Sequence, residues 1–480
     1  MKHFFSLLTF TFLFAYSASA QMVSYTLQQG FTKLQLDSFL NTTGFALPIA
    51  PQYDVDVYQV IYKTPYKHPD SLVNASGIVV IPKNTQCPSA LGCYAHGTFA
   101  RRDEVPSYVG PERPIGLFFA GLGGVVTAMP DELGLGDSDS SIIIHPYINA
   151  YHSGHASVNL MRAARQLADT LSIPLSGEVL LTGYSQGGYT TMATNKLIQE
   201  QYSSEFNVIA SAPMSGPYDL KVTMVDVMIS PDPFSAPSYL PYLLLGYHSV
   251  YPSLQQMFPN PADIFKSPYD SIIPPLFYSK NYSTGYIDQY CNQVPRNMIK
   301  DSVINAFASD TLHPLRLILA ENDLMNWAPQ NPVKIHYCIN DDQVNYLNAV
   351  RADSAWNANG SPSVQIENFG NLNHGQCVEP ALTSASLYLL GKISNCTGIK
   401  EPEALMFRLY PNPTTGSLKI VKQEGESNLT VIDMNGRVVY SKGLMFETEE
   451  IDLSHFAPGF YNVQLADKDG RTAHKKLVVQ

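Results

Sequence analysis

The chain carries little charge, and less positive charge than negative. Charged residues make up 15% of its 480 residues, and 30 Lys and Arg stand against 41 Asp and Glu, a net charge of −11. No basic run reverses that balance locally, which argues against nucleic acid as a partner. Long apolar runs are also scarce. Beyond the first twenty residues no segment has about eighteen consecutive apolar residues, so the mature chain has no candidate spanning helix. Cysteine is sparse, six in all, and no two form the C-x-x-C pair of a zinc site. His145, His152 and His155 are not joined by a carboxylate or cysteine cluster, and they read as structural. Asp131, Asp137 and Asp139 share a Gly-rich loop without the spacing of a calcium loop. Neither a metal nor a cofactor is therefore expected.

What is present indicates a globular, exported protein. A hydrophobic content of 45% supports a large core, and the length leaves room for an accessory module. Lys2 and His3 precede an apolar run from Phe4 to about Tyr16, and Ser17-Ala18-Ser19-Ala20 follows, the pattern of a signal peptide ending at residue 20. Six cysteines in an oxidising compartment favour disulfides. The favoured pair is Cys87 with Cys93, closing a short Pro/Gly loop; Cys377 with Cys396 would leave Cys291 with Cys338, but spacing alone does not fix the pairing.

The larger region, 21–398, alternates strands and helices. β-branched and aromatic runs mark strands from Val55 to Pro82, near Gly92–Ala95, at Gly124–Met129, at Val179–Thr182 and at Phe206–Ala212. Leu160, Ala164, Leu167 and Leu171 share one helical face. This alternation predicts the α/β class, a mostly parallel sheet with helices on both faces. From about 217 to 314 the proline and tyrosine density breaks the rhythm, which reads as an inserted helical cap. The alternation resumes at Val333–Tyr337 and Val364–Phe369, and a last helix is expected from about Glu379 to Ile393. A linker, 399–407, precedes a compact β-sandwich module at 408–480, where Asn435-Gly436 suits a tight hairpin.

Gly183-Tyr184-Ser185-Gln186-Gly187 sits between a strand and a helix, the context in which G-x-S-x-G presents a nucleophilic serine. A serine needs a base, and on such a sheet the acid and then the histidine follow it in the chain. Between Asp342 and the β module His374 is the one histidine, and it lies between the last strand and the last helix. Two apolar runs end in Asn-Asp, before Asp323 and before Asp341. Counting elements selects Asp341, because one helix and one strand then separate it from His374; Asp342 ranks second and Asp323 third. The oxyanion donors are expected to be the N–H groups of Gln186 and of Thr98, in the loop His96-Gly97-Thr98.

With these residues placed, a resemblance emerges. Tyr94-Ala95-His96-Gly97-Thr98, Asp131-Glu132-Leu133-Gly134-Leu135-Gly136-Asp137-Ser138, His145-Pro146-Tyr147, Arg162-Ala163-Ala164-Arg165, Gly183–Gly188, Asp341-Asp342-Gln343-Val344 and Asn373-His374-Gly375 resemble secreted α/β-hydrolases related to secretory lipases. The resemblance implies a Ser185–Asp341–His374 triad and ester hydrolysis under a cap, with Asn345 standing where that group usually has proline. Tyr410-Pro411-Asn412-Pro413, Asp433-Met434-Asn435-Gly436-Arg437 and Pro458-Gly459-Phe460-Tyr461 resemble the type A sorting domain of type IX secretion. That resemblance implies the type IX machinery as a partner and passage across the outer membrane, with the product secreted or held at the cell surface. An immunoglobulin-like binding module is the alternative for this region. The expected function is a secreted serine esterase or lipase acting on a small-molecule or lipid ester through an acyl-enzyme. A prolyl-oligopeptidase-like serine peptidase and a non-catalytic surface binding protein are the alternatives.

Overall fold

The computed structural model describes residues 22–42, 50–394, 407–422, 426–433, 437–446, 448–467 and 472–480. The signal peptide at 1–20, Cys396, residues 399–406 of the linker and the Asn435-Gly436 turn lie outside these. The chain divides into two compact units, Met1–Thr397 and Gly398–Gln480.

The larger unit is built on a nine-stranded sheet. Its strands are β1 (Met22–Phe31), β2 (Asp54–Tyr66), β3 (His68–Lys83), β4 (Ser89–Ala95), β5 (Val126–Pro130), β6 (Leu175–Tyr184), β7 (Asn207–Met214), β8 (Val333–Tyr337) and β9 (Val364–Asn368). They lie in the order β1-β2-β3-β5-β4-β6-β7-β8-β9. From β5 to β9 all neighbours are parallel, while β1, β2 and β3 add an antiparallel edge. β4 is buried along its whole length, as expected for a strand covered by helices on both faces. Alternate residues of β4 serve opposite faces: Ala90 and Tyr94 join one core cluster, and Leu91 and Cys93 the other.

That alternation overturns one expected disulfide. Cys93 is buried in one cluster and Cys87 packs against the other, so the two sulfurs lie on different sides of the strand and both are unpaired. Cys291 is also unpaired. The disulfide present joins Cys338 to Cys377, replacing both remaining expected pairs.

Between β7 and β8 the chain forms the cap, which is mainly helical, with Thr223–Ile229, Tyr239–Val250, Tyr269–Ser279 and Asp301–Ser309 among its helices. The run before Asp323 is a further helix, Pro314–Glu321. Proline opens it, the His313 ring accepts the N–H of Leu315, and Leu315, Ile318 and Leu319 bury one face. The last helix starts five residues earlier than expected, at His374, because Asn373 and Gln376 form a capping box.

The C-terminal unit has a three-stranded and a four-stranded antiparallel sheet. Its core is aliphatic, with Leu418, Leu429, Val431, Val463, Leu465 and Leu477 fully buried. Phe407, assigned to the linker from the sequence, opens the first of its strands and is buried.

Candidate active site

The elbow lies at the end of β6, between β4 and β7. Ser185 follows the strand and adopts φ 60°, ψ −119°, a backbone state that side chains rarely take, and its N–H bonds the Met214 carbonyl of β7 at 2.9 Å. The flanking glycines are required by contact. A Cβ on Gly187 would lie 1.9 Å from the Ala95 carbonyl oxygen, and one on Gly183 would lie 2.4 Å from that of Gly187. The helix Gln186–Leu197 starts directly after the serine, so its first turn aims N–H groups at the same space.

His374 opens the last helix, and its Nδ1 lies 2.9 and 2.8 Å from the two carboxylate oxygens of Asp341. Asp341 is itself fixed, because its Oδ1 accepts the N–H groups of Gln343 and Val344. Asp342 takes a different part: its Oδ1 accepts the backbone N–H of His374 at 3.0 Å. Burial pushes the Asp342 carboxyl up, but that N–H and neighbouring bonds bring it net below its ordinary value. Asp323 is elsewhere, accepting the N–H of Leu220 at the base of the cap. The Tyr184 hydroxyl, next to Ser185, donates to the His374 carbonyl at 2.5 Å, and the two rings lie 5.0 Å apart. No hydrogen bond joins Ser185 Oγ to His374 among the described residues. Catalytic bonds of this kind are often long before substrate binds.

The disulfide belongs to this site. Cys338 lies three residues before Asp341 and Cys377 three after His374, so the bond ties the acid loop to the start of the histidine helix. Among the described residues, the N–H groups of Gln186 and Thr98 make no hydrogen bond within the protein. Thr98 Oγ1 lies 3.1 Å from the Tyr147 hydroxyl.

Three further residues sit here: His145, which the sequence reads as structural, Glu132, named there only within a matching segment, and Glu112, which it does not single out. His145 is buried, and its Nε2 lies 2.7 Å from the Gln186 amide nitrogen. Burial lowers its pKa to about 3, so the ring is neutral; Nδ1–H donates to the Leu133 carbonyl and Nε2 accepts from Gln186. Glu112 receives the N–H of Gly97. Glu132 is buried beside the loop, and desolvation raises its pKa to about 7. His145 and Glu132 lie in segments that carry the family resemblance, but their contacts, like that of Glu112, join parts of the chain that only the fold brings together.

Above Ser185 a cavity opens toward the cap. Ser185, Gln186 and Tyr147 form part of its wall, with Leu220, Met224, Met228, Leu240 and Leu243 of the cap opposite. Among the described residues, no carboxylate or basic side chain lines it. Groups of three or more candidate metal ligands are absent among the described residues, as is any helix long and apolar enough to cross a membrane.

Known proteins share this fold. Residues 122–386 match the secretory lipase family, and residues 408–480 match the secretion system C-terminal sorting domain. No curated protein sequence matches the chain. A Legionella pneumophila protein provisionally described as a hydrolase is 26% identical with a TM-score of 0.71, covering 80% of this chain and 99% of its own. The rice cell wall degrading esterase LipA from Xanthomonas oryzae is 27% identical with a TM-score of 0.64, covering 77% and 96%. Candida antarctica lipase A in its closed state, 15% identical with a TM-score of 0.57 over 80% and 87%, shares the fold. With more than half of its length matched, the chain belongs to the secretory lipase family: an exported ester hydrolase, secreted or held at the cell surface, that carries a sorting domain of the type IX secretion system.

Proposed function

We propose that the protein hydrolyses carboxylic esters through an acyl-enzyme on Ser185. The observation that carries this reading is the Asp341–His374 pair, whose bond to Nδ1 leaves Nε2 as the free base next to the elbow. His374 Nε2 takes the Ser185 proton as Oγ attacks the ester carbonyl. Asp341 holds the ring tautomer and stabilises the imidazolium. The unpaired N–H groups of Gln186 and Thr98 receive the oxyanion, each contributing about 3 kcal/mol to the transition state. Collapse expels the alcohol with the proton returned by His374, and water, activated by the same base, then releases the acid. The cavity takes the acyl chain, and its Met and Leu lining favours an apolar one. A peptidase that reads the free amine of its substrate needs an acidic group there, and among the described residues none lines the cavity, which favours the ester over that kind of peptidase.

A fluorophosphonate probe tests the nucleophile. Peptide mass analysis should place the label on Ser185 in folded protein and find none after Ser185→Ala. A folded wild-type enzyme that stays unlabelled overturns the reading. Faster cleavage of aminoacyl amides than of p-nitrophenyl esters would favour the peptidase instead.

A further inference from the structure

The loop after β4 supplies the Thr98 N–H, and its shape depends on a residue outside it. Glu112 precedes the helix Arg113–Gly123, yet its side chain makes no capping bond to that helix. The carboxylate turns back under the loop instead. Oε1 accepts the N–H of Gly97 at 3.0 Å, and Oε2 accepts the hydroxyl of Tyr94, a buried residue of β4, at 2.6 Å. The fit is close, since a Cβ on Gly97 would lie 2.9 Å from Oε1. The other side of Gly97 is held as well, because His96 Nδ1 lies 2.7 Å from the Gly97 carbonyl oxygen and donates to it. That carbonyl and the Thr98 N–H belong to one planar peptide unit and point in opposite directions. Fixing the N–H and the C=O of Gly97 therefore fixes the direction of the Thr98 N–H.

We infer that Glu112 is a positioning residue for ester hydrolysis: its bonds to Gly97 and Tyr94 hold the Gly97–Thr98 peptide so that the Thr98 N–H faces the oxyanion. This rests on the reading of Ser185 and Thr98 proposed above. It assigns Glu112 an effect on the transition state and almost none on substrate binding, because the ground-state carbonyl makes weaker use of the donor.

Three substitutions separate geometry from charge. Glu112→Ala should lower kcat about 10- to 100-fold on a p-nitrophenyl ester with KM within about twofold, and should weaken inhibition by an alkylboronic acid, which forms a tetrahedral adduct, to a similar degree. Glu112→Gln keeps an acceptor for Gly97 and offers a donor to Tyr94, so it should recover kcat to within about fivefold. Glu112→Asp keeps the charge but is one methylene too short for both partners, and should behave like the alanine variant. Thermal melting checks folding, and if the alanine variant does not fold, the contrast between Gln and Asp decides. Unchanged kcat in folded Glu112→Ala, or activity retained by Asp and lost by Gln, overturns the proposal while fluorophosphonate still labels Ser185. Failure to label the wild-type enzyme overturns the serine reading itself, and this proposal with it.

Discussion

The strand ends that carry the proposed chemistry and the cap above them are built from different materials. At the strand ends the decisive contacts are between backbones: Gly187 against Ala95, the Ser185 N–H on Met214, and two main-chain N–H groups left open. In the cap they are between large side chains. Tyr242 stacks on Tyr147 at 4.6 Å and on Phe277 at 4.6 Å, and its hydroxyl donates to the Phe99 carbonyl of the core. Backbone packing tolerates almost no added atom, whereas a cavity lined by Met and Leu adjusts to changes of volume. The proposed chemistry thus sits where the chain has least freedom, and the proposed selectivity where side chains can vary without moving Ser185.

Substitutions at the two regions should behave accordingly. Asp341→Asn should lower kcat about 10³- to 10⁴-fold on a p-nitrophenyl ester, whereas Asp342→Asn, which still accepts the His374 N–H, should cost about tenfold or less. Equal losses at the two positions would show that the acid is not assigned to one of them. The disulfide joins the Asp341 loop to the helix that His374 opens and spans 39 residues, so replacing Cys338 and Cys377 together with serine should cost stability of about 4 kcal/mol, read from denaturant unfolding, with turnover lost ahead of global unfolding. Turnover persisting up to the unfolding transition would separate the bond from the site. The smallest effect belongs to the cap. Met228→Trp fills the cavity and should lower the decanoate-to-acetate preference about tenfold while leaving acetate turnover within about twofold. If acetate hydrolysis falls as far as decanoate hydrolysis, the cap and the catalytic end are not separable as described.

The candidate catalytic end was also the more legible in sequence, for the same reason. A turn that leaves no room for a Cβ demands glycine, so Gly183 and Gly187 appear in the sequence as a pattern. The parallel-sheet order then directed attention to Asp341 and His374, which the structure brings to 2.8 Å. The start of the last helix was legible as well, in Asn373 and Gln376, but the helix pattern was read from Glu379 onward. Cysteine pairing was not legible. Cys87 and Cys93 are near in sequence yet serve opposite faces of β4, and Cys338 meets Cys377 because the end of β8 lies beside the start of a helix.

The sequence by itself determined the alternation of strands and helices, the elbow, the order of the candidate triad and the separate C-terminal β unit, because each depends on local backbone demands or on hydrophobic period. The tertiary structure decided which cysteines bond, that Glu112 holds the Gly97 loop, that a neutral His145 holds Gln186, and what lines the cavity over Ser185. These contacts join residues far apart in the chain, and only packing brings such residues together.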